Sequence, residues 1–432
     1  MSRDLFFCLL VCLPLAAQEA PIPTATALPS SPFFIKKTWP VGGNGNWDYL
    51  TIDPTAQRLY IAHGHAVQVV DIESGEVAGE ITGFREAHAI ALDDTGSFGY
   101  VSDGPADAVA VFDRRSLAIQ ATVAIGCSPR SLAFEPRNRL VFAVCGASLS
   151  EPGSPSQTTA PAASGSAAHP LHPHLPAYTG PSHVVVIDTM RNAPVADIIL
   201  DGDLRFAQPD ANGHVYITAA TAIAPRVDRN GNVHSEIVPP RIAGIDASGI
   251  SDEVRRQTAG LSDAASSDPV TFDWSGIRRS VGLFHTIPLP PSCAHPQGLA
   301  VDGKDLRIFA ACDDQQLLVL DSSDGQIVTT LVTGPGDDVV GYDADRGLIY
   351  SANGGGYGSL TIVRQDANTD SYAVIQNLAT MERARTLAVD SSTGQVYLVT
   401  DIHGAGLSDS GGIGTLHFDP IRDSFQVLVV GH

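Results

Sequence analysis

The sequence predicts an all-β protein, a single seven-bladed β-propeller built from four-stranded antiparallel blades. Three observations predict it: an eight-residue phrase recurs seven times, an aromatic-centred strand follows each copy, and the copies recur with a period of about forty residues. A unit of this length cannot bury both faces of its sheet alone, whereas radial stacking around an axis leaves only short edges. A pair of β-sandwiches would not produce equivalent positions in every unit.

The repeated phrase forms the first strand of each blade and ends at an acidic turn. The copies WDYLTIDP, AHAIALDD, PRSLAFEP, LRFAQPDA, PQGLAVDG, DDVVGYDA and ARTLAVDS begin at Trp47, Ala87, Pro129, Leu204, Pro296, Asp337 and Ala384. The seventh residue of every copy is acidic: Asp53, Asp93, Glu135, Asp210, Asp302, Asp343 and Asp390. A turn residue such as Pro, Gly or Asp often follows, as expected where a strand ends in a turn.

The remaining strands of each blade follow the phrase in order. The second strand is centred on an aromatic residue in each blade: Tyr60, Tyr100, Phe142, Tyr216, Phe309, Tyr350 and Tyr397. The third and fourth strands recur as hairpins with an acidic turn, for example VQVVDIESGEVAGEI at 67–81. In the seventh blade GTLHFDPIRDSFQVLVV at 414–430 has this pattern, yet FFIKKTWPV at 33–41 also resembles an outermost strand. The sequence leaves open which of the two closes the ring.

The N-terminus, MSRDLFFCLLVCLPLAAQEA, has the pattern of a secretory signal, in which a short apolar run precedes small residues. We therefore expect residues 1–17 to be a signal peptide, 18–32 a disordered linker and 33–432 the propeller, located in the periplasm or outside the cell. Low-complexity residues 147–180 are predicted to be an insertion in blade 3, and residues 221–280 an insertion in blade 4. No later run is long and apolar enough to predict a membrane helix.

The cysteines predict two disulfides. Of the six cysteines, two lie in the predicted signal, which leaves an even number in a compartment where disulfides persist. In a hairpin the start of the first strand lies beside the end of the second, so Cys127 can reach Cys145 and Cys293 can reach Cys312. Closing a loop of this size stabilises the fold by on the order of 3 kcal/mol through the entropy of the unfolded chain.

The second position of the phrase is polar in every copy: Asp48, His88, Arg130, Arg205, Gln297, Asp338 and Arg385. In a propeller the first strand lines the axial channel, so these residues should form one ring near the channel mouth. Arginine side chains that face one another repel, which raises the free energy of the folded state unless nearby anions neutralise them. Two interpretations stay open. Either the ring's own aspartates neutralise its arginines around a water-filled channel, or the ring binds a small carboxylate or phosphate, which suits the guanidinium fork.

Other polar and aromatic residues should lie near this ring. The second strands rise to the same face, which places His63, Asp103 and Asn353 beside it, and Trp47 flanks the ring directly. An indole here could stack on a planar ligand, although packing in the core is its commoner role. The formal net charge of −21 repels nucleic acid over most of the surface. Because the sequence has no glycine-rich phosphate loop, paired-histidine metal motif or GxSxG elbow, we predict no cofactor and no metal, and assign no catalytic residue.

The phrases YVSD, YITA and YSAN, each followed by a hairpin with an acidic turn, resemble those of the YVTN-repeat β-propellers. GGNGNWDYLTIDPTAQRLYIAHG, CAHPQGLAVD with IFAAC, and SFQVLVVGH look like the exported YncE-like branch of that family. The resemblance runs from Phe33 to the C-terminus, apart from the two insertions. It implies a seven-bladed propeller exported by the Sec route and no particular reaction, since members are mostly described as binding proteins. A nucleic-acid-binding relative is known, but the acidic balance here argues against that role.

We therefore expect a monomeric, non-enzymatic protein that holds a small anionic ligand or an acidic peptide at the mouth of the axial channel. Two alternatives stay open. In a lactonase or carboxymuconate-cyclase type of enzyme, arginines would clamp a carboxylate while His88 or His63 acts as the base. In a protein-interaction scaffold, the inserted loops of blades 3 and 4 would bind the partner.

Overall fold

Each repeat of the sequence folds as one antiparallel sheet, and seven such sheets surround a common axis. The computed structural model describes residues 32–43, 45–146, 181–227, 232–259, 269–273, 283–409 and 414–432. The first strands of neighbouring blades pack against each other around the whole ring, and those of blades 1 and 7 close it. The predicted all-β, seven-bladed propeller of four-stranded blades is confirmed.

Blades 1 and 2 contain four consecutive strands each. Strand β1 (Phe34–Pro40) precedes them and belongs to the last blade. Blade 1 comprises β2 (Trp47–Asp53), β3 (Arg58–His63), β4 (Ala66–Asp71) and β5 (Val77–Thr82). Blade 2 comprises β6 (Ala87–Leu92), β7 (Phe98–Asp103), β8 (Ala108–Asp113) and β9 (Ile119–Ala124). A short 3-10 helix, Gly104–Ala106, joins β7 to β8.

Blade 3 carries an additional strand from its neighbour. Its own strands are β10 (Ser131–Glu135), β11 (Leu140–Cys145), β12 (Ser182–Asp188) and β13 (Ala193–Leu200). Residues 147–180, predicted as the blade 3 insertion, lie outside the described residues. A fifth strand, which comes from the chain segment within blade 4, pairs in parallel with β13 and covers the outer edge of the sheet.

Blade 4 is interrupted twice. Its sheet consists of β14 (Asp203–Pro209), β15 (His214–Ala220), β18 (Arg241–Asp246) and β20 (Phe284–Pro288). Between β15 and β18 lies the hairpin of β16 (Ala222–Val227) and β17 (Val233–Val238). Between β18 and β20 lie helix α1 (Ala247–Thr258) and β19 (Val270–Asp273), the strand added to blade 3. Asp246 caps α1, because its side chain accepts a hydrogen bond from the Gly249 amide at 3.0 Å.

Blades 5 and 6 are uninterrupted. Blade 5 comprises β21 (Pro296–Asp302), β22 (Arg307–Cys312), β23 (Gln316–Asp321) and β24 (Ile327–Val332), preceded by a 3-10 helix at Pro291–Cys293. Blade 6 comprises β25 (Asp337–Asp343), β26 (Leu348–Asn353), β27 (Ser359–Asp366) and β28 (Ser371–Ala379).

Blade 7 closes the ring with a strand from each end of the chain. It contains β29 (Leu387–Asp390), β30 (Gln395–Thr400) and β33 (Gln426–Gly431), and β1 is its outermost strand. The predicted hairpin at 414–430 is wrong, because β32 (Gly414–Pro420) pairs with β31 (His403–Asp409) instead. Strand β33 has no free edge for β32, since β30 and β1 occupy its two sides.

Two sequence features recur in every blade, the aromatic residue of the second strand and the acidic residue at the end of the first strand, and both have a structural role. All seven aromatic residues of the second strands are buried, and several pack against the next blade, as Tyr60 does against Phe112 with ring centroids 5.7 Å apart. The acidic residues at the ends of the first strands are also buried and accept backbone N–H groups of the following turn. Asp53, for example, accepts from the amide of Ala56 at 3.0 Å, and Asp93 accepts from the amide of Phe98 at 3.1 Å.

Both predicted disulfides are confirmed. Cys127 is bonded to Cys145, and Cys293 to Cys312, with Cα atoms 6.0 and 5.1 Å apart. Each bond ties the end of a second strand to the segment that precedes the first strand of the same blade. No helix in the described ranges is long and apolar enough to cross a membrane.

Candidate functional site

The predicted ring lies around a cavity of about 610 Å³ on the propeller axis. Six of the seven ring residues line it: Asp48, Arg130, Arg205, Gln297, Asp338 and Arg385. The seventh, His88, is not among the lining residues, but its Nδ1 donates to Oδ2 of Asp48 at 3.0 Å. Residues from six blades therefore converge on one cavity, as the phase of the repeat predicts.

The ring position leaves the regular strand ladder in every blade. In five blades the pairing of the first strand with the second shifts register at this position, as between Trp47 and Leu50 or between Pro296 and Leu299. In blades 3 and 7 the position precedes the first strand, which begins at Ser131 and Leu387. A β-bulge re-aims the side chains next to it. The bulges thus turn this column toward the axis.

Hydroxyl groups of the second strands satisfy the backbone amides that two of these bulges release. Ser102 accepts a hydrogen bond from the Ala89 amide at 2.8 Å, and Thr218 accepts one from the Phe206 amide at 3.1 Å. Ser102 and Thr218 are the third residues of the phrases YVSD and YITA. The hydroxyl in these phrases therefore replaces a missing ladder hydrogen bond, which would otherwise leave a buried donor unpaired.

Two of the three ring arginines are paired with carboxylates. Nη2 of Arg205 lies 2.5 Å from Oδ2 of Asp203, and Nε of Arg385 lies 3.4 Å from Oδ2 of Asp338. Arg130, in contrast, is exposed to the cavity, and its side chain has no partner among the residues that the structure describes. The ring is therefore neutralised internally only in part.

The cavity also contains charged residues that the repeat alignment did not indicate: Asp203, Asp313, Asp337 and Arg383. Arg383 lies immediately before the last phrase, the position that Asp203 occupies in blade 4. Its Nη1 donates to Nε2 of His403 at 2.6 Å, and its guanidinium carbon lies 4.8 Å from the ring centroid of Trp47. Because a guanidinium only donates, Nε2 of His403 accepts, and Nδ1 carries the proton that faces Asp401 at 3.1 Å.

Asp313 follows the last residue of β22 and is exposed to the cavity. Within the described part of the chain its side chain has no hydrogen-bond or ion-pair partner. Its position, immediately after Cys312, corresponds to the end of the second strand, the segment that the sequence placed beside the ring. The sequence feature that could have indicated Asp313 is therefore its position at the end of a second strand, and not a position within the repeated phrase.

Two neighbouring carboxyl groups of blade 6 lie in the cavity with raised pKa values. Burial raises the pKa of Asp337 to about 7, against the hydrogen bonds that its carboxylate accepts from Ser351 and Thr333. Burial also raises the pKa of Asp338 to about 6, with Arg385 acting in the opposite direction. The charge of Asp313 contributes to raising both pKa values. Asp313, Asp337 and Asp338 are therefore close enough to interact on this side of the cavity.

We expect the raised pKa of Asp337 to govern part of the pH dependence of stability. The folded protein binds this proton more tightly than the unfolded chain, so the group's contribution is full below about pH 4 and is lost as the pH rises to about 7. Asp337→Asn retains an acceptor for Ser351 and removes the titration. Its free energy of unfolding, measured with urea at intervals across this range, should fall less with rising pH than that of the unmodified protein.

The matched control for this experiment is Asp345→Asn, in the exposed turn that follows the same strand. It should preserve the pH dependence of the unmodified protein. An Asp337→Asn variant whose unfolding free energy follows the unmodified protein at every pH would contradict the assignment.

Tyr49 closes the cavity on one side and packs on Phe206, which lines only the smaller cavity beyond it. The rings of Tyr49 and Phe206 are 5.2 Å apart, and Tyr49 lines both the larger cavity and the smaller one of about 260 Å³ further along the axis. Burial, followed by the charge of Asp48, holds the pKa of the Tyr49 phenol well above its ordinary value. The smaller cavity is lined mainly by apolar side chains. The polar site therefore ends at the Tyr49 and Phe206 rings.

The flanking candidates Trp47 and His63 lie near the cavity without lining it. Trp47 is buried and packs on Phe425, with ring centroids 5.3 Å apart. The Nδ1 atom of His63 lies 2.9 Å from Oε1 of Gln68, and its ring also packs on Phe425 at 4.1 Å. Both side chains therefore pack against the segment that joins β32 to β33 in blade 7.

The flanking candidates Asp103 and Asn353 hold connecting segments in place and are likewise absent from the cavity lining. Asp103 accepts hydrogen bonds from the backbone amides of Arg85 and Glu86 at 2.9 and 3.1 Å. The amide nitrogen of Asn353 donates to Oγ1 of Thr361 at 3.0 Å. In the described ranges, no group of three His, Cys, Asp or Glu side chains is arranged to hold a metal ion.

Comparison with known proteins identifies the fold. No protein-family profile and no curated protein matches this sequence. The solved structure of U3-55K is similar with a TM-score of 0.56 and 9% sequence identity, over 93% of this chain and 99% of that chain. The RRP9 WD40 repeats are similar with a TM-score of 0.57 and 9% identity, over 94% and 99% of the two chains. At this identity the likeness shows a WD40-like propeller fold alone, and the YVTN-repeat resemblance stays a prediction.

Proposed function

We propose that this propeller is a binding protein without enzymatic activity, and that the axial cavity holds a small ligand through a carboxylate or phosphate group. One observation carries the proposal: Arg130 presents its guanidinium to the cavity, and none of the carboxylates in the described ranges pairs with it. The fork of this side chain suits bidentate binding of such an anion. Internal neutralisation accounts for Arg205 and Arg385, but it does not account for Arg130.

The shape of the site supports this proposal. A cavity of about 610 Å³ lies within the range of small-molecule sites, and its polar groups beside the aromatic ring of Tyr49 are typical of them. The likeness to WD40-repeat structures supports the coarser statement that the chain is a propeller scaffold suited to binding. The enzymatic alternative needs a base beside the anion, and neither His88 nor His63 lines the cavity.

The two disulfides also support a proposal about the cellular location of the protein. Disulfides persist in oxidising compartments, so we propose that the protein works in the periplasm or outside the cell, as the YVTN-like exported propellers do. Its ligand would then be a solute of that compartment.

The proposal predicts that an organic acid or inorganic phosphate raises the melting temperature and that Arg130→Ala abolishes the rise. A ligand at about 100 times its Kd stabilises the folded state by roughly 2.7 kcal/mol, which a thermal-shift screen detects readily. Arg191→Ala is the matched control, because Arg191 is an exposed arginine of the same blade, in its turn between third and fourth strands. An anion-dependent rise that persists in Arg130→Ala, or a panel in which no anion has an effect, would contradict the proposal.

A further inference from the structure

Within the described ranges, the cavity presents an arginine and an aspartate with unpaired side chains, in the two blades that flank blade 4. Arg130 precedes the first strand of blade 3, and Asp313 follows the second strand of blade 5. Both are exposed and both line the cavity, yet neither has a side-chain partner in the described ranges, and they do not pair with each other. Because the two groups have opposite charges, a single charged group of a ligand cannot neutralise both.

Each of the other charged groups of the cavity has at least one partner among the described residues. The pairs are Asp48 with His88, Asp203 with Arg205, Asp338 with Arg385, Arg383 with His403, and Asp337 with Ser351 and Thr333. These contacts hold each group within the protein. The remaining capacity for a ligand is thus one guanidinium and one carboxylate, which have opposite charge.

The field around Asp313 strengthens this polarity. Asp313 lies close enough to Asp337 and Asp338 to raise the pKa of both carboxyl groups. A positive group placed among these three residues would relieve their mutual repulsion. On the other side, Arg205 is paired with Asp203, so Arg130 of blade 3 is the positive group that has no partner among the described residues. The cavity therefore offers a positive group at blade 3 and, at blades 5 and 6, the carboxyl groups around Asp313.

We infer that the ligand is a zwitterion of the amino-acid or short-peptide class, whose carboxylate binds Arg130 and whose ammonium binds Asp313. The inference rests on the proposed function and adds the second contact to it. An ammonium group presents three donors, which suits carboxylate acceptors, and the guanidinium fork takes the carboxylate. The cavity volume accommodates a body larger than a single carboxylate, and Tyr49 offers it an aromatic surface.

The test measures binding by calorimetry for free L-amino acids and alanyl dipeptides, and then for two derivatives of the best binder. N-acetylation removes the positive charge and amidation of the C-terminus removes the negative charge. Each change should weaken binding at least about tenfold, the size of one lost charge-assisted contact. In Asp313→Asn the free and N-acetylated forms should bind equally, and in Arg130→Gln the free and amidated forms should bind equally. Asp314→Asn, an exposed neighbour outside the cavity lining, should bind like the unmodified protein.

The outcomes separate this inference from the proposed function. If simple organic acids bind through Arg130 and N-acetylation has no effect, the second contact is wrong and the anion site stands. If amidated forms bind through Asp313 while Arg130→Gln has no effect, the anion site is wrong. Failure of every amino acid and dipeptide to bind, with folded protein verified by its melting temperature, overturns the inference.

Discussion

Replacing Arg114 by alanine is expected to lower the free energy of unfolding by about 3–5 kcal/mol, because it leaves two buried carboxylates without their cation. Arg114 lies in the turn after β8 of blade 2 and is 8% exposed. Its guanidinium pairs with Asp53 of blade 1 and with Asp93 of its own blade, whose backbone carbonyl it also reaches at 2.9 Å. The side chain therefore fastens the first blade to the second.

Urea unfolding of Arg114→Ala and of Arg115→Ala measures this effect against a matched control. Arg115 is the next residue along the chain and is exposed, so its removal should change the unfolding free energy by no more than about 0.5 kcal/mol. Combining Arg114→Ala with Asp53→Asn should restore part of the loss, since Asn is neutral and keeps an oxygen for the Ala56 amide. A loss below about 1 kcal/mol in Arg114→Ala would show that water screens the two carboxylates.

Sequence periodicity was sufficient to predict the architecture because each blade repeats the same physical problem. Every first strand ends at a turn whose amides need an acceptor, and an acidic residue provides it, as Asp53 does. Every second strand fills the space between blades with an aromatic ring, as Tyr60 does. These demands recur at one position in each repeat, so they leave a visible pattern. The disulfides followed from the same hairpin geometry.

The prediction from the repeat was wrong in blade 7, where the chain departs from the repeat. Strands β32 and β33 flank an acidic segment at 419–424, like a third and fourth strand, and only their pairings with β31 and β1 show that they do not form a hairpin. The pairing of β33 with β1 joins residues at opposite ends of the chain, and the strand pattern at 33–41 alone did not decide whether it or 414–430 supplies the outermost strand. Arg383 was missed for a similar reason, since its contact with His403 depends on the inserted hairpin of β31 and β32.

Alignment of the repeats predicted which residues form the ring, but it did not indicate how the charges of the ring are balanced. Asp203, which neutralises Arg205, belongs to the residues just before the repeated phrase, and alignment gave it no weight. Side-chain direction at the ring depends on β-bulges, which have no strict sequence signature. Only the folded structure therefore distinguishes Arg205, which is paired, from Arg130, which has no partner in the described ranges.

Replacing Trp39 by alanine should lower the free energy of unfolding by about 3–5 kcal/mol, the usual effect of removing a large buried aromatic side chain. Trp39 is 7% exposed in β1 and packs against Tyr397 of blade 7, with ring centroids 5.9 Å apart. A Cβ atom on Gly75 of blade 1 would lie only 2.4 Å from the indole, so that turn is in direct contact with it. The indole therefore fills the junction between the last blade and the first.

Phe34→Ala is the matched control for Trp39→Ala, because Phe34 is an aromatic residue of the same strand that is 48% exposed. We expect it to cost about 1 kcal/mol or less, while Trp39→Phe should recover part of the loss. Since β2 of blade 1 packs on β29 of blade 7, opening this junction removes support from both neighbours. Circular dichroism and tryptophan fluorescence should therefore report one shifted transition, and a separate early transition in Trp39→Ala would show that blade 7 unfolds independently.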